Sequence, residues 1–262
     1  MKYQFWKYQG TGNDFIFFDG REDVSVIKDN KEVIARLCHR RYGIGADGLI
    51  ILEKHETSDF RMVYYNSDGG ESTMCGNGGR CSISFAHFMG LAGEKTNFQA
   101  IDGLHSGEIA NEGWIKLGMN DVSDMKRLDE RTYLLNTGSP HYVRLLDQGE
   151  DIDIVAFGRE IRYSAPFAQE GINVNVVQEM DGKIKVKTYE RGVEDETYSC
   201  GTGVTAAAIV YHRSMNNLPV GDIDVMTKGG ALKVSFNAHK NRYTNIVLHG
   251  PVQMVFTGQI EI

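Results

Sequence analysis

Two cysteines in this chain occupy nearly the same surroundings. Around the first the sequence runs Glu71-Ser72-Thr73-Met74-Cys75-Gly76-Asn77-Gly78, and around the second Glu196-Thr197-Tyr198-Ser199-Cys200-Gly201-Thr202-Gly203. A thiol acts as a base when ionised and as an acid when not, and glycines beside it let the backbone come close to a ligand. An apolar-periodic stretch follows each Cys-Gly step and predicts a helix there. Cys81, Phe85, Phe88 and Met89 share a face up to Gly90, and Val204, Ala208, Tyr211 and Met215 do the same in the second. A helix start carries N–H groups with no acceptor inside the helix and the positive end of the dipole, so an anion such as a carboxylate belongs there. The same position favours thiolate, while burial opposes it.

The two motifs share the form E-[ST]-x-x-C-G-[NT]-G and lie 125 positions apart, from 75 to 200. Thr11-Gly12-Asn13 matches Thr137-Gly138-Ser139, and Gly45-Ala46-Asp47 matches Gly171-Ile172-Asn173, each at an offset of 126. Three matches in one order indicate a duplication rather than two similar loops. The expected organisation is one half over 1–118 carrying Cys75 and another over 119–262 carrying Cys200, with the last strand, near 253–262, able to pack back on the first half. No Pro- or Ser-rich linker marks the join.

Most of the chain reads as strand. Trp6–Tyr8, Phe15–Phe18, Leu49–Leu52 and Met62–Tyr65 are short aromatic or β-branched runs, as are Ile184–Tyr189 after Asp181-Gly182 and Leu232–Phe236 after Gly229-Gly230. A further helix is expected to be capped by Asn30, with Val33, Ile34, Leu37 and Cys38 on one face and Gly43 stopping it. From Val204 to Tyr211 the sequence is apolar nearly all round, as for a helix enclosed by strands. The predicted fold class is therefore α/β in the strand-rich, α+β sense: two pseudo-symmetric domains, each a curved, mainly antiparallel sheet wrapped around a central helix. If such halves face one another about a pseudo-two-fold axis, the thiols converge on one carbon from opposite sides, and opposed bases invert a stereocentre.

Composition narrows the partners. The 262 residues are 41% hydrophobic and 24% charged, with 28 Lys+Arg against 35 Asp+Glu and a net charge of -7. That is a globular, mildly acidic chain without a dense basic run, which argues against nucleic acid and anionic membranes as partners. Neither an apolar signal core nor a membrane-length apolar stretch is present, so the expected location is the cytoplasm. Cys38 and Cys81 read as small buried apolar residues, and the spacing of all four cysteines suits neither a disulfide scaffold nor a structural metal. No dinucleotide fingerprint or phosphate loop occurs, so no cofactor is expected. An anion at the two helix starts would be held by the N–H groups of Gly76, Asn77, Gly201 and Thr202.

Gly10-Thr11-Gly12-Asn13-Asp14-Phe15, Asn66-Ser67-Asp68-Gly69, Met74 to Arg80, Tyr189-Glu190-Arg191-Gly192 and Ser199 to Gly203 resemble the segments of the diaminopimelate epimerase family, in order from residue 10 to 203. The resemblance implies a pyridoxal-phosphate-independent cytoplasmic enzyme, commonly a homodimer, that interconverts LL- and meso-diaminopimelate for lysine and peptidoglycan synthesis. It implies Cys75 and Cys200 as the catalytic pair, His141 and Glu190 as residues tuning the thiols, and Glu190 as holder of the substrate ammonium. Arg191, Asn66 and Asn173 match side chains that bind the distal carboxylate and ammonium, and Asn13 matches another pocket residue. Two departures touch substrate recognition: Ser139 stands where the family commonly has Asn, and the stretch from Arg191 to Cys200 is one residue longer than usual. Cys-Gly-x-Gly alone also fits proline racemases and their relatives, which typically carry His where this chain has Asn77. A racemase or epimerase of another amino acid such as proline or hydroxyproline is the alternative. A non-catalytic amino-acid binding protein is a further reading, as is a redox role in which the two thiols oxidise to a disulfide.

Overall fold

The structure is a computed structural model that describes residues 1–110, 113–215 and 220–262. The chain forms two compact units, Met1–Leu117 together with Gly250–Ile262, and Gly118–His249. In the first unit the elements are β1 (Lys2–Gly10), β2 (Asn13–Asp19), α1 (Lys31–Cys38), β3 (Gly48–Glu53), β4 (Phe60–Asn66), α2 (Gly76–Phe88), β5 (Lys95–Ala100), β6 (Gly103–Ile109), β7 (Trp114–Gly118) and, from the far end of the chain, β17 (Gln253–Glu261). Neighbours in the sheet run β17-β1-β2-β3-β4-β5-β6-β7. Every join is antiparallel except β2–β3 and β4–β5. Parallel neighbours need a crossover, and α1 and α2 are those two crossovers.

The second unit contains β8 (Met125–Arg127), β9 (Thr132–Asn136), β10 (Pro140–Leu145), α3 (Ile154–Arg162), β11 (Asn173–Met180), β12 (Lys183–Glu190), β13 (Asp195–Glu196), α4 (Gly201–Ser214), β14 (Val220–Thr227), β15 (Gly230–His239) and β16 (Arg242–Pro251). Its sheet order is β8-β9-β10-β11-β12-β14-β15-β16, with β13 returning along β12. The two parallel joins are β10–β11 and β12–β14, spanned by α3 and α4. The order of parallel and antiparallel joins thus repeats from one unit to the other, and the duplication seen in the loops extends to the strand ladder.

Each sheet carries one helix on either face. α2 packs on β1, β2, β3, β4 and β6, and α4 on β9, β10, β11, β12, β14 and β15. Around α2, Phe85 meets Phe17 at 5.0 Å and Tyr8 at 5.7 Å between ring centres. Each such buried ring contributes about 2–3 kcal/mol by removal from water. On the opposite face Ile34, Leu37 and Cys38 of α1 join Phe5, Ile16, Phe18 and Ile51. Burial pushes the Cys38 thiol up to about 12, in keeping with a packing residue. α4 is buried continuously from Gly203 to His212, which explains its lack of a polar stripe.

Three local expectations are corrected. The helix capped by Asn30, whose side chain accepts from the Val33 N–H, ends at Cys38 and not at Gly43. The chain there folds back over the helix, and the N–H groups of Ile44 and Gly45 donate to the Leu37 carbonyl while Ala46 donates to Cys38. Phe88 and Met215, assigned by periodicity to buried stripes, are 56% and 51% exposed. Periodicity sets the angle of a residue around a helix, but both lie at the helix end, where burial depends on how far the strands extend. The hairpin turn at Asp181-Gly182 is as expected, with φ of 51° and 78°.

α3 lies so close to β12 that a Cβ on Gly158 would sit 2.3 Å from the Tyr189 Cβ and 2.5 Å from its Cγ. Alanine at 158 therefore forces the helix off the strand, and that overpacking outweighs its better helix propensity. The expected result for Gly158→Ala is a loss of about 2 kcal/mol, read as a fall of several degrees in Tm.

Candidate active site

Cys75 and Cys200 occupy the same structural position, the N-cap of the helix enclosed by its sheet. Cys75 has extended backbone (φ -91°, ψ 131°) and its carbonyl accepts from the Gly79 N–H at 2.7 Å. Cys200 is similar (φ -113°, ψ 111°), with its carbonyl accepting from Val204 at 2.8 Å. Ser, Thr, Asp or Asn usually stand at this position and cap the helix with a side-chain oxygen. Neither cysteine side chain makes such a cap. A residue that contributes little to the helix at a position selected for capping has another use. Cys75 is half-buried and Cys200 buried at 8% exposure.

In the first unit the Cys75 thiol donates to Asn13 Oδ1 at 3.5 Å, and Asn77 Nδ2 donates to the same oxygen at 3.3 Å. Asn13 Nδ2 donates to Asp47 Oδ2 at 2.6 Å, which fixes the orientation of the amide. Asp47 is held in turn by Arg40 at 2.7 Å, and Arg40 also binds Asp14. Burial alone would raise the Asp14 carboxyl, but the hydrogen bonds and charges of Arg40 and Lys7 outweigh it and hold the group well below the usual carboxylate range. Beneath the first turn Arg80 donates to the Gly76 carbonyl, Asn77 Oδ1 and Thr11 Oγ1. Asn66 closes β4 and is exposed, its backbone turning on hydrogen bonds with Gly69 and Gly70.

In the second unit the Cys200 sulfur lies 3.4 Å from Thr202 Oγ1, and Thr137 Oγ1 donates to the Thr202 carbonyl at 2.8 Å. His141 is fully buried on β10, with Nδ1 3.1 Å from Asn175 Nδ2. That amide also donates to the Tyr142 carbonyl and accepts from Thr188 Oγ1, so its nitrogen faces the imidazole. Nδ1 is consequently the acceptor and Nε2 carries the proton. Nε2 has no hydrogen-bond partner among the described residues. Burial, aided by the Arg191 charge, pushes His141 down to about 3, so the ring is neutral under ordinary conditions. Asn175 also reaches the helix start, since a Cβ on Gly203 would meet its Oδ1 at 2.5 Å.

Asn173 accepts from the Arg191 N–H at 2.9 Å and donates to the Pro140 carbonyl at 3.4 Å, so its side chain positions the Arg191 backbone. Arg191 itself is exposed and anchored by one hydrogen bond from Nη1 to the Glu170 carbonyl at 2.8 Å. Glu190 ends β12, half-buried, its carbonyl accepting from Val193 and Glu194. Tyr163, Tyr189 and the Gly192 N–H all donate to the Glu194 carboxylate, closing the loop after Arg191.

Sequence reasoning missed Arg80, Thr11, Asp47, Thr137, Asn175 and Thr188. Thr11, Asp47 and Thr137 fall within the repeated fragments, which was the available signal. Asn175 alternates with Val174 and Val176 and so resembles a solvated face, while Thr188 continues the buried phase of Ile184 and Val186 and reads as core.

A buried neutral histidine makes a pH prediction. His141 takes up a proton near its ordinary value of about 6.5 when unfolded and only near 3 when folded, so the unfolded state binds more protons between those values and stability falls with acidification through that window. Its share is about 2 kcal/mol between pH 7 and pH 5. In thermal melts His141→Gln should lose correspondingly less Tm over that range than the unaltered protein, and equal losses would exclude His141 as the source.

The diaminopimelate epimerase family model matches residues 5–123 and 133–255. The chain belongs to the diaminopimelate epimerase family. It is 48% identical over 252 residues to the diaminopimelate epimerase of Flavobacterium psychrophilum, covering 96% of this chain and 97% of that protein. It is 38% identical over 261 residues to that of Chlorobaculum tepidum, covering 97% and 99%. Membership in the diaminopimelate epimerase family makes the chain an isomerase. Among solved structures the fold resembles a PhzF-family phenazine biosynthesis protein of Bacillus anthracis, with a TM-score of 0.75, 13% identity and full coverage of both chains. It also resembles a hydroxyproline epimerase of Agrobacterium vitis, with a TM-score of 0.69, 13% identity and coverage of 99% and 92%. At these identities the likeness is one of fold.

Proposed function

We propose that this chain interconverts LL- and meso-diaminopimelate by two-base proton transfer at the α-carbon, with Cys75 and Cys200 as the bases. The observation that carries the reading is the same helix start, with a cysteine at the N-cap position, in both halves of a duplicated chain of this family. One thiolate takes the α-proton and becomes a thiol. The electron pair left on carbon is delocalised into the carboxylate, which in this reading is held by the helix N–H groups of Gly76, Asn77, Gly201 and Thr202. Each such donor supplies about 3 kcal/mol to lowering the barrier. The other thiol delivers a proton to the opposite face and becomes thiolate, so stereochemistry inverts and the two cysteines exchange protonation states.

The reading makes the reaction independent of pyridoxal phosphate and of metal, and assigns the protein to the cytoplasm as a homodimer acting in lysine biosynthesis. Arg191, Asn66 and Asn173 take the distal carboxylate and ammonium of the substrate, Asn13 serves as another pocket residue, and Glu190 holds the substrate ammonium. His141, being neutral, contributes through its Nε2–H as a hydrogen-bond donor and not as a cation.

The test is exchange of the α-hydrogen in deuterated buffer with no added cofactor, following LL-diaminopimelate, proline and glutamate in parallel. Exchange with inversion for diaminopimelate alone supports the reading. Exchange confined to proline or glutamate transfers the scaffold to another amino acid, and binding without exchange makes the chain a binding protein.

A further inference from the structure

Arg80 is the largest side chain buried to below 2% exposure, and its partners are all neutral. Nη1 donates to the Gly76 carbonyl at 3.3 Å, and Nη2 donates to Asn77 Oδ1 at 3.0 Å and Thr11 Oγ1 at 3.1 Å. Nε has no hydrogen-bond partner among the described residues. Burying a guanidinium against neutral acceptors is strongly unfavourable unless a counter-charge is close. Burial brings Arg80 down to about 10, where it is still protonated at neutral pH, while the Cys81 and Cys75 sulfurs draw it back up. Cys81 is wholly buried and its thiol is pushed far up, so it stays neutral. Half-buried Cys75 remains as the neighbour that can ionise.

The other charged groups around the start of α2 each have a hydrogen-bond partner of their own. Asp47 pairs with Arg40, Asp14 with Arg40 and Lys7, and Asp102, which accepts from the Met74 N–H, is hydrogen-bonded to His105. Tyr8 on β1 is a neutral phenol pushed up to about 12. The bond from Cys75 to Asn13 favours the thiol, but at 3.5 Å it is long and little is lost in breaking it.

The second unit shows what the helix itself requires. Thr205 stands five residues after Cys200, as Arg80 does after Cys75, and its Oγ1 donates to the Gly201 carbonyl at 2.9 Å. The same carbonyl, four residues back, is thus satisfied there by a neutral hydroxyl. What Arg80 adds to the repeated design is a positive charge.

We propose that Arg80 is a positioning residue whose buried guanidinium, acting through Asn77 and the first turn of α2, holds Cys75 as the thiolate of the resting enzyme, so that the two halves of the duplication are chemically unequal. This rests on the role proposed above for Cys75.

The experiment is alkylation by iodoacetamide across pH without substrate, with Cys75 and Cys200 followed separately by peptide mass spectrometry in the unaltered protein, Arg80→Met and Arg80→Lys. Cys75 is expected to titrate below the ordinary thiol value of about 8.5 in the unaltered protein. In Arg80→Met its midpoint rises by about one pH unit, with about tenfold slower alkylation at pH 7, and in Arg80→Lys most of the shift is undone. The Cys200 curve stays put throughout. A Met variant whose Cys75 midpoint does not move overturns the proposal, as does a Lys variant that behaves like Met. Should the Met variant fail to fold by circular dichroism, a Cys75 midpoint at or above the ordinary value in the unaltered protein overturns it. Because alkylation needs no turnover, a chain showing the expected shifts without exchanging diaminopimelate keeps this inference and loses the proposed reaction.

Discussion

Cys75→Ala and Cys200→Ala are each expected to lower epimerisation of diaminopimelate by at least about 10³-fold while leaving the fold intact. Neither side chain caps its helix, so alanine removes a small sulfur without removing a capping hydrogen bond. The loss is therefore chemical. The two variants should also differ from each other in deuterated buffer. With one thiol gone, the remaining thiolate can still withdraw and return the proton of the isomer whose α-hydrogen faces it, giving exchange without inversion. Cys75→Ala should retain exchange for one isomer and Cys200→Ala for the other. Retention of the same isomer by both, or near-normal turnover by either, contradicts a two-base reaction.

Arg191→Ala is expected to raise KM for diaminopimelate about 10²-fold with a smaller change in kcat. A guanidinium meets a carboxylate through two parallel hydrogen bonds, and charge-assisted bonds of this kind are worth about 1.5–3 kcal/mol each. Only Nη1 is engaged within the described chain, by the Glu170 carbonyl, and the Arg191 backbone is held by Asn173. The side chain is thus anchored at one corner with donors left over for a ligand. Arg191→Lys should recover only part of the loss, since an ammonium cannot form the paired contact. Steady-state kinetics with saturable substrate separates the two constants, and an unchanged KM removes Arg191 from recognition of the distal carboxylate. Asn173→Ala should produce a weaker form of the same effect, because it releases the Arg191 backbone and leaves the guanidinium in place.

The local chemistry was legible in the residues because it depends on short-range rules. A helix beginning at a Cys-Gly step, a turn at Asp181-Gly182 and a cap at Asn30 are decided by a few neighbouring φ and ψ preferences. The duplication was legible because Gly-rich loops tolerate few substitutions and so resemble one another across the halves. Periodicity found the inner faces of α2 and α4 but misplaced Phe88 and Met215, which lie beyond the shelter of the strands.

What the chain determined by itself was the set of reactive groups and the frame that presents them: two thiols at two helix starts, duplicated, with apolar strands to enclose each helix. Tertiary structure alone decided which polar residues support them. The parallel joins β2–β3 and β10–β11 bring Asp47 to Asn13 and Asn173 to the Pro140 carbonyl, partners more than thirty residues apart that no local pattern connects. Burial decided the rest, since a histidine or arginine has the same letter in water as in a core. Only its surroundings make His141 neutral, and only they leave Arg80 charged among neutral hydrogen-bond acceptors in the described residues.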